Sequence, residues 1–214
     1  MNFFVMLICT FMPLLVHGQA VSSEDVTSSK KNTLGISYYG DLSFNEKTFK
    51  LNPGIEVNYA WQLLGKSYHK GNSYSSSYKD RQMFLKPFFN FYIRKHYQTG
   101  IGMGADISYR STGAKGLFWD IGIGGGYLHT FYNDPVYEQV NDSTFKQIRF
   151  QGNPNVMIRG NLHIGYDCSK IYQGIPVAFF LGGGTFLRYP QAHAWVIRQY
   201  IDAGVNIKLS KKSK

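Results

Sequence analysis

The chain has 214 residues, of which 43% are hydrophobic, 16% aromatic and only 17% charged. That length points to one domain, and low charge with many aromatics excludes a disordered chain. The formal net charge of +10 does not make it a nucleic-acid binder, because the basic residues are scattered except at Lys30-Lys31 and in the tail Lys208, Lys211, Lys212 and Lys214; solvated ends and attraction to anionic lipid head groups account for the charge.

Residues 1–18 read as a cleavable secretory signal. Phe3 to Val16 is apolar except for Thr10 and Pro13, and Val16 and Gly18 precede the expected cut before Gln19. The n-region holds no Lys or Arg, so only the α-amino group is positive there. A transmembrane anchor is the competing reading, and the short run without a charged flank argues against it. Cys9 follows Met6-Leu7-Ile8 rather than small residues, so it is not a lipoprotein cysteine. Removing the signal leaves Cys168 alone. That excludes an intramolecular disulfide and a Cys-rich zinc site, and fits a periplasmic or outer-membrane destination. Residues 19–32 are polar and Ser-rich, a flexible lead-in.

From Thr33 onward the sequence alternates apolar and polar residues with period two, the strand signature. Eight runs follow, at about 33–41, 53–63, 81–94, 99–110, 117–130, 155–167, 175–188 and 194–209. Turn chemistry separates them: Ser111 to Gly116 between the fourth and fifth, and a Gly-, Asn-, Ser- and Tyr-rich stretch, 65–78, between the second and third. Between the fifth and sixth, residues 131–154 hold Asn133-Asp134-Pro135 and Gly152-Asn153-Pro154. Tyr137 to Val140 and Thr144 to Phe150 are placed to extend the flanking strands into a hairpin about Asn141-Asp142-Ser143. That triplet also matches a glycosylation acceptor; it reads better as a turn tip.

Adjacent side chains of a strand point to opposite faces. In the fifth run Leu117, Trp119, Ile121 and Ile123 oppose Phe118, Asp120, Gly122 and Gly124. In the sixth, Val156, Ile158, Gly160, Leu162, Ile164 and Tyr166 oppose Met157, Arg159, Asn161, His163, Gly165 and Asp167. The second, third, fourth, seventh and last runs divide in the same way, and no charge falls on the first face. A soluble barrel or sandwich would turn that face inward. A membrane barrel would turn it to lipid and put the charges in the lumen.

Four features favour the membrane. The runs are longer than soluble strands. Aromatics stand near the ends of the apolar face, Trp61, Tyr109, Trp119, Tyr127, Tyr166 and Trp195, as in an interfacial girdle. The polar face is Gly-rich, which leaves room in a narrow barrel. Strands follow the export signal directly. The expected lumen network is Glu56, Lys86, Arg94, Asp106, Arg110, Asp120, Arg159, His163, Asp167, Arg198 and Asp202, with Arg188 on the same face. Buried charges of both signs must pair there.

On the processing region Val16-His17-Gly18-Gln19, the Gly-rich aromatic strand Phe118 to Tyr127 and the closing alternation Tyr200 to Leu209, the chain resembles the small outer-membrane β-barrels of Gram-negative bacteria, the OmpA/OmpX/OmpW-like class, and more narrowly exported barrels of Bacteroidetes. The resemblance covers nearly the whole mature chain. It implies an all-β fold, an antiparallel up-and-down transmembrane β-barrel of eight strands over 33–209, or ten if the hairpin near Asn141 adds a pair, followed by a basic tail, 210–214. It also implies an outer-membrane location, with membrane lipids and the outer-membrane assembly machinery as partners. Two departures stand out. Such barrels commonly end on an aromatic residue, whereas this chain ends Leu209-Ser210-Lys211-Lys212-Ser213-Lys214. With both termini periplasmic, 131–154 falls outside as expected, but the long 65–78 connection falls on the rim where turns are usually short.

Little chemistry is legible. Gly100 to Ala105 formally matches G-x-G-x-x-A, but Asp106 to Arg110 continues a strand where a dinucleotide site needs a helix. His69, His96, His129, His163 and His193 have no partner at metal-ligand spacing; His163, expected beside Arg159 and Asp167, reads as hydrogen-bonded filling. Ser67 with His69, or His129 with Glu138, are weak candidates for a hydrolase. The His-x-Ser-Asn signature of outer-membrane deacylases is absent, since Thr130-Phe131-Tyr132 follows His129. No cofactor, metal or catalytic residue is expected. An eight-stranded lumen is filled by side chains, which excludes a general porin. The leading function is a structural or interaction barrel with 131–154, carrying Tyr132, Tyr137 and Phe145, as a protein contact surface. The alternatives are transport or binding of small apolar ligands, a lipid-modifying enzyme, and a soluble lipocalin-like periplasmic binder.

Overall fold

In the computed structural model, which describes residues 32–45, 48–72, 75–95, 98–132, 136–141, 144–148, 152–170, 175–191 and 194–209, the alternating runs form ten strands. They are β1 (Asn32–Asn45), β2 (Thr48–Asn72), β3 (Ser75–Arg94), β4 (Gln98–Gly113), β5 (Leu117–Tyr132), β6 (Val136–Asn141), β7 (Thr144–Ile148), β8 (Gly152–Asp167), β9 (Val177–Gln191) and β10 (Ala194–Leu209). Eight of them close a barrel in the order β1-β10-β9-β8-β5-β4-β3-β2. The pair β6–β7 is a separate two-stranded sheet, so it does not widen the ring to ten. The signal, residues 19–31 of the lead-in, the basic tail and the turn tip at 142–143 lie outside the described residues.

The first and last strands close the ring, running antiparallel from Asn32 opposite Leu209 to Leu42 opposite Gln199. Closure leaves no open edge, so the backbone ladder is satisfied all round. Among the described residues no helix is long and apolar enough to cross a membrane. One rim carries the start of β1, the end of β10 and the β2–β3, β4–β5 and β8–β9 connections. The other carries the β1–β2, β3–β4 and β9–β10 connections and, between β5 and β8, the β6–β7 hairpin.

The stretch 65–78, expected as a connection, is instead a continuation of β2 and β3, paired as far as Asn72 opposite Ser75. Its composition is turn-like, yet cross-strand polar contacts sustain the ladder. Ser67 Oγ donates to Asp80 Oδ1 at 2.6 Å, and the Arg81 guanidinium lies 5.0 Å from the Tyr68 ring centroid. A register shift between Gln62 and Leu64 leaves both Leu63 and Leu64 exposed. At the β4–β5 turn Gly116 has φ +88°, a left-handed conformation natural to glycine. Its amide donates to Gly113 O, and its carbonyl accepts from Asp167 N at 2.8 Å.

The faces divide as the alternation requires. Ile123, Leu181 and Ile197 are 60–66% exposed on the outside, while Asp106 and Asp120 are at most 1% exposed inside. A water-soluble barrel has the opposite polarity. An apolar exterior around a charged interior is the geometry of a transmembrane β-barrel.

Aromatics mark the two borders of that exterior. Toward the chain-end rim Tyr59 packs on Trp61 with centroids 5.3 Å apart and Tyr109 on Trp119 at 5.4 Å, with Tyr166 opposite Leu117. Toward the other rim stand Tyr127, His129 and Phe131 on β5, and Tyr189 on Trp195 at 5.1 Å. From Trp119 to Tyr127 a strand tilted ~40° climbs ~20 Å, close to the height of a bilayer's apolar band. Ile123 sits midway. Ile123→Arg is expected to destabilise the barrel by about 2–4 kcal/mol and Phe131→Arg at the border by roughly 0–1 kcal/mol, measured by denaturant unfolding in lipid vesicles.

Candidate functional site

The inward faces of the eight barrel strands build a layered polar interior in which the described charges gather. Its centre is Arg159 on β8. Its Nε donates to both oxygens of Asp106, at 2.8 and 2.9 Å. Nη1 and Nη2 reach the Glu56 carboxylate at 2.5 and 3.1 Å, and Asn161 Nδ2 adds a bond to Asp106 Oδ2 at 3.1 Å. The guanidinium carbon lies over the Phe88 ring, 3.4 Å from its centroid. Asp106 finds room because Gly124 stands opposite it across the β4–β5 ladder; a Cβ at Gly124 would collide with the carboxylate and with Ala105 O.

Nearer the chain-end rim, Asp120 accepts from Lys86 Nζ at 2.8 and 2.9 Å and from Arg110 Nε at 2.9 Å. Arg110 is clamped between Phe118 and Phe84, 4.4 and 5.2 Å from their centroids. His163 Nε2 is 2.9 Å from Asp202 Oδ2, and its Nδ1 is 3.9 Å from Asp120 Oδ1. The two layers together hold four carboxylates (Glu56, Asp106, Asp120, Asp202) and three fixed cations (Lys86, Arg110, Arg159). The charges balance when His163 carries a proton.

The chain-end rim is tied by shorter links. Lys208 pairs with Asp167, whose Oδ1 also accepts from Ser169 Oγ at 2.7 Å. Lys170, in the 3-10 turn Cys168–Lys170, reaches Asp80 Oδ2 at 2.5 Å. Burial alone would lower the Lys170 ammonium's pKa, but the bond and charge of Asp80 outweigh it and hold it above the ordinary value. At the other rim Arg94 Nε is 3.1 Å from Asp41 Oδ2. Below that pair lies an aromatic plug: Tyr39 meets Tyr92 at 6.2 Å and Tyr200 at 5.7 Å, and Phe186 meets Tyr200 at 6.2 Å.

The gaps between layers are small. One between the central ion pairs is about 20 Å3, one under the plug about 10 Å3 and one at the chain-end rim about 60 Å3. Each has room for water and little else.

The structure places all eleven expected lumen residues on the inner face and joins most of them. Glu56, Asp106 and Arg159 form one group; Lys86, Arg110, Asp120, His163 and Asp202 form another. Asp167 stands apart, held by Lys208 and Ser169, and not beside His163. Arg94 and Arg198 lie in the far mouth with Arg188 and Asp41. Asp41, Asp80 and Lys170 escape the sequence reading. The faces of the first run are not divided there, and the other two lie between runs, in stretches that read as connections. A strict count of alternation through Leu42 would find Asp41. Trp61, Tyr109, Trp119, Tyr127, Tyr166 and Trp195 all stand outside.

Among the described residues, no three His, Cys, Asp or Glu side chains are grouped to hold a metal. His129 is on the outer face, with Nδ1 2.7 Å from Tyr127 Oη and its ring 4.5 Å from Phe131. Ser67 is bonded to Asp80. The side chains of His69 and Glu138, their candidate partners, lie outside the described residues.

The class that this fold and interior define is the small eight-stranded transmembrane β-barrel. No family model matches the chain. No curated protein matches it either. Among solved structures it is similar to Neisserial surface protein A, with 9% identity, TM-score 0.45, and coverage of 84% of this chain and 97% of that one. It is also similar to the outer-membrane enzyme PagL, with 9% identity, TM-score 0.41 and coverage of 83% and 98%. A third is the N-terminal β-barrel domain of Pseudomonas aeruginosa OprF, with 12% identity, TM-score 0.35 and coverage of 85% and 100%. At these identities and scores the likeness says nothing of activity.

Asp120 is fully buried between two cations. Asp120→Ala strands both and is expected to cost about 3–5 kcal/mol. Adding Lys86→Met to that variant is expected to recover part of the loss, read in denaturant unfolding of the reconstituted barrel.

Proposed function

We propose that this chain is an outer-membrane β-barrel of a Gram-negative bacterium with a structural or interaction role. In this reading it is exported by a cleavable signal, seated among membrane lipids by the outer-membrane assembly machinery, and neither a pore nor an enzyme. The observation that carries the reading is the inverted polarity. The outside is apolar between two aromatic belts, and the inside is filled by ion pairs and rings around cavities of about 10–60 Å3. Such an interior stabilises a rigid wall and leaves function to the rims.

The rim opposite the chain ends bears the β6–β7 hairpin within 131–154. Tyr132 at its base is 41% exposed, and Tyr137 and Phe145 lie on its two strands. This hairpin is the contact surface for a protein partner in this reading.

Unboiled protein extracted from the outer-membrane fraction is expected to run faster on a detergent gel than boiled protein, because a closed barrel resists detergent until heated. Deleting 136–148 should keep that shift and remove partner binding. In planar bilayers the protein is expected to give no conductance steps. Recovery from the soluble periplasm without a heat shift would overturn the membrane reading, and steady conductance would overturn the sealed lumen.

A further inference from the structure

The inward charges of the described residues lie in layers, from the chain-end rim to the mouth opposite. The chain-end rim sets Lys170 against Asp80 and Lys208 against Asp167. In the two central layers His163 stands between Asp120 and Asp202, and their charges balance when it is protonated. In the mouth, three guanidinium groups, Arg94, Arg188 and Arg198, gather about the carboxylate of Asp41. Arg94 pairs with it directly at 3.1 Å. Arg188 and Arg198 lie within Coulombic range of Asp41, of Arg94 and of each other.

Their arrangement follows from register. Arg188 on β9 faces Val196 on β10, and Arg198 is the next inward residue along β10. Asp41 on β1 faces Tyr200, one inward step below Arg198. The aromatic plug of Tyr39, Tyr92 and Tyr200 forms the floor.

Arg188 is the telling residue. It is 2% exposed, yet its Nε and Nη2 have no hydrogen-bond partner. A buried donor pair of fixed fork geometry, without an acceptor and beside two more guanidinium groups, is a configuration that an oxyanion completes. A tetrahedral oxyanion presents several oxygens at once and so can accept from both arms of the Arg188 fork.

We infer that this mouth is a binding site for a phosphate- or sulfate-type oxyanion, held by the Arg188 fork with Arg94 and Arg198 around it. Arg198 is partly exposed and gives the anion its way in. Asp41 opposes the anion and sets its affinity. The anion can be free inorganic phosphate or the monoester group of a soluble sugar phosphate, since both present the same three oxygens.

The test is calorimetric titration of the intact barrel in nanodiscs with inorganic phosphate, sulfate and glucose 6-phosphate, with glucose as control at matched ionic strength. Saturable one-to-one binding is expected for an oxyanion and none for glucose. Binding of inorganic phosphate identifies the free ion as sufficient; binding of glucose 6-phosphate alone identifies the ester. Arg188→Met should lose at least tenfold in affinity, Arg198→Gln several-fold, and Asp41→Asn should gain, since it removes the competing charge. Phosphate should also raise the temperature at which the wild-type gel mobility changes and leave that of Arg188→Met unmoved. Should Arg188→Met fail to assemble, the opposite signs of the Arg198→Gln and Asp41→Asn effects decide. Absence of saturable binding by the wild-type barrel, or binding that Arg188→Met and Arg198→Gln leave unchanged, overturns the site.

Discussion

Inside hydrocarbon a backbone amide or carbonyl has no water to turn to, and each one left unpaired costs several kcal/mol. A chain built of strands meets that demand only by closing on itself. Here closure rests on the ladder between β1 and β10, the two strands furthest apart in sequence, which run side by side from Asn32 opposite Leu209 to Leu42 opposite Gln199. Everything else follows from that ring. Once closed, each strand has one face to lipid and one to a lumen too narrow for bulk water. Period-two alternation then becomes a sorting of residues between two immiscible surroundings.

The sorting creates the molecule's main cost, charges taken out of water, and the interior shows how that cost is offset. Arg159 satisfies two carboxylates and is satisfied by them while its face rests on Phe88. Asp120 is met by two cations, one of them sandwiched between phenyl rings. Such pairs gain little over a well-packed apolar core, but losing one partner is severe. They fix register instead. Slipping β4 or β5 by one residue would carry Asp106 or Asp120 into lipid and bring isoleucine into the lumen.

Most of this architecture is legible in the sequence because alternation is a local signal. Each strand's two faces can be read without knowing its neighbours, so the apolar and charged sides of β3, β4, β5 and β8 follow from counting. Pairing is not local. Nothing in the residues near Asp167 says that Lys208, across the first sheet gap from β9, takes it in place of Arg159 on its own strand. Nor does composition show that the Gly-, Ser- and Tyr-rich stretch 65–78 stays in the sheet. That depends on cross-strand partners such as Ser67 and Asp80, and on a bulge after Gln62 that reverses which residues face in. Asp41, the last residue of the run 33–41, takes its place inside from the pairing of β1 with β10, where it faces Tyr200.

Seen along its axis, the interior is not uniform, and the difference separates what holds the barrel together from what it can do. The central layers join carboxylates to cations, and the spaces between them are of the size of a water molecule or two. At the chain-end rim Lys170 and Lys208 are each set against an aspartate. Among the described residues, the opposite mouth gathers three guanidinium groups, Arg188 among them with two donors unpaired, above a floor of tyrosines and on the same rim as the β6–β7 hairpin. A shaft of paired charges needs no such cluster for stability; gathered like charges weaken the compact state. The cluster is therefore better understood as a feature of the rim's business with its surroundings than of the barrel's own cohesion, and it falls on the same side as the element that the ring left out.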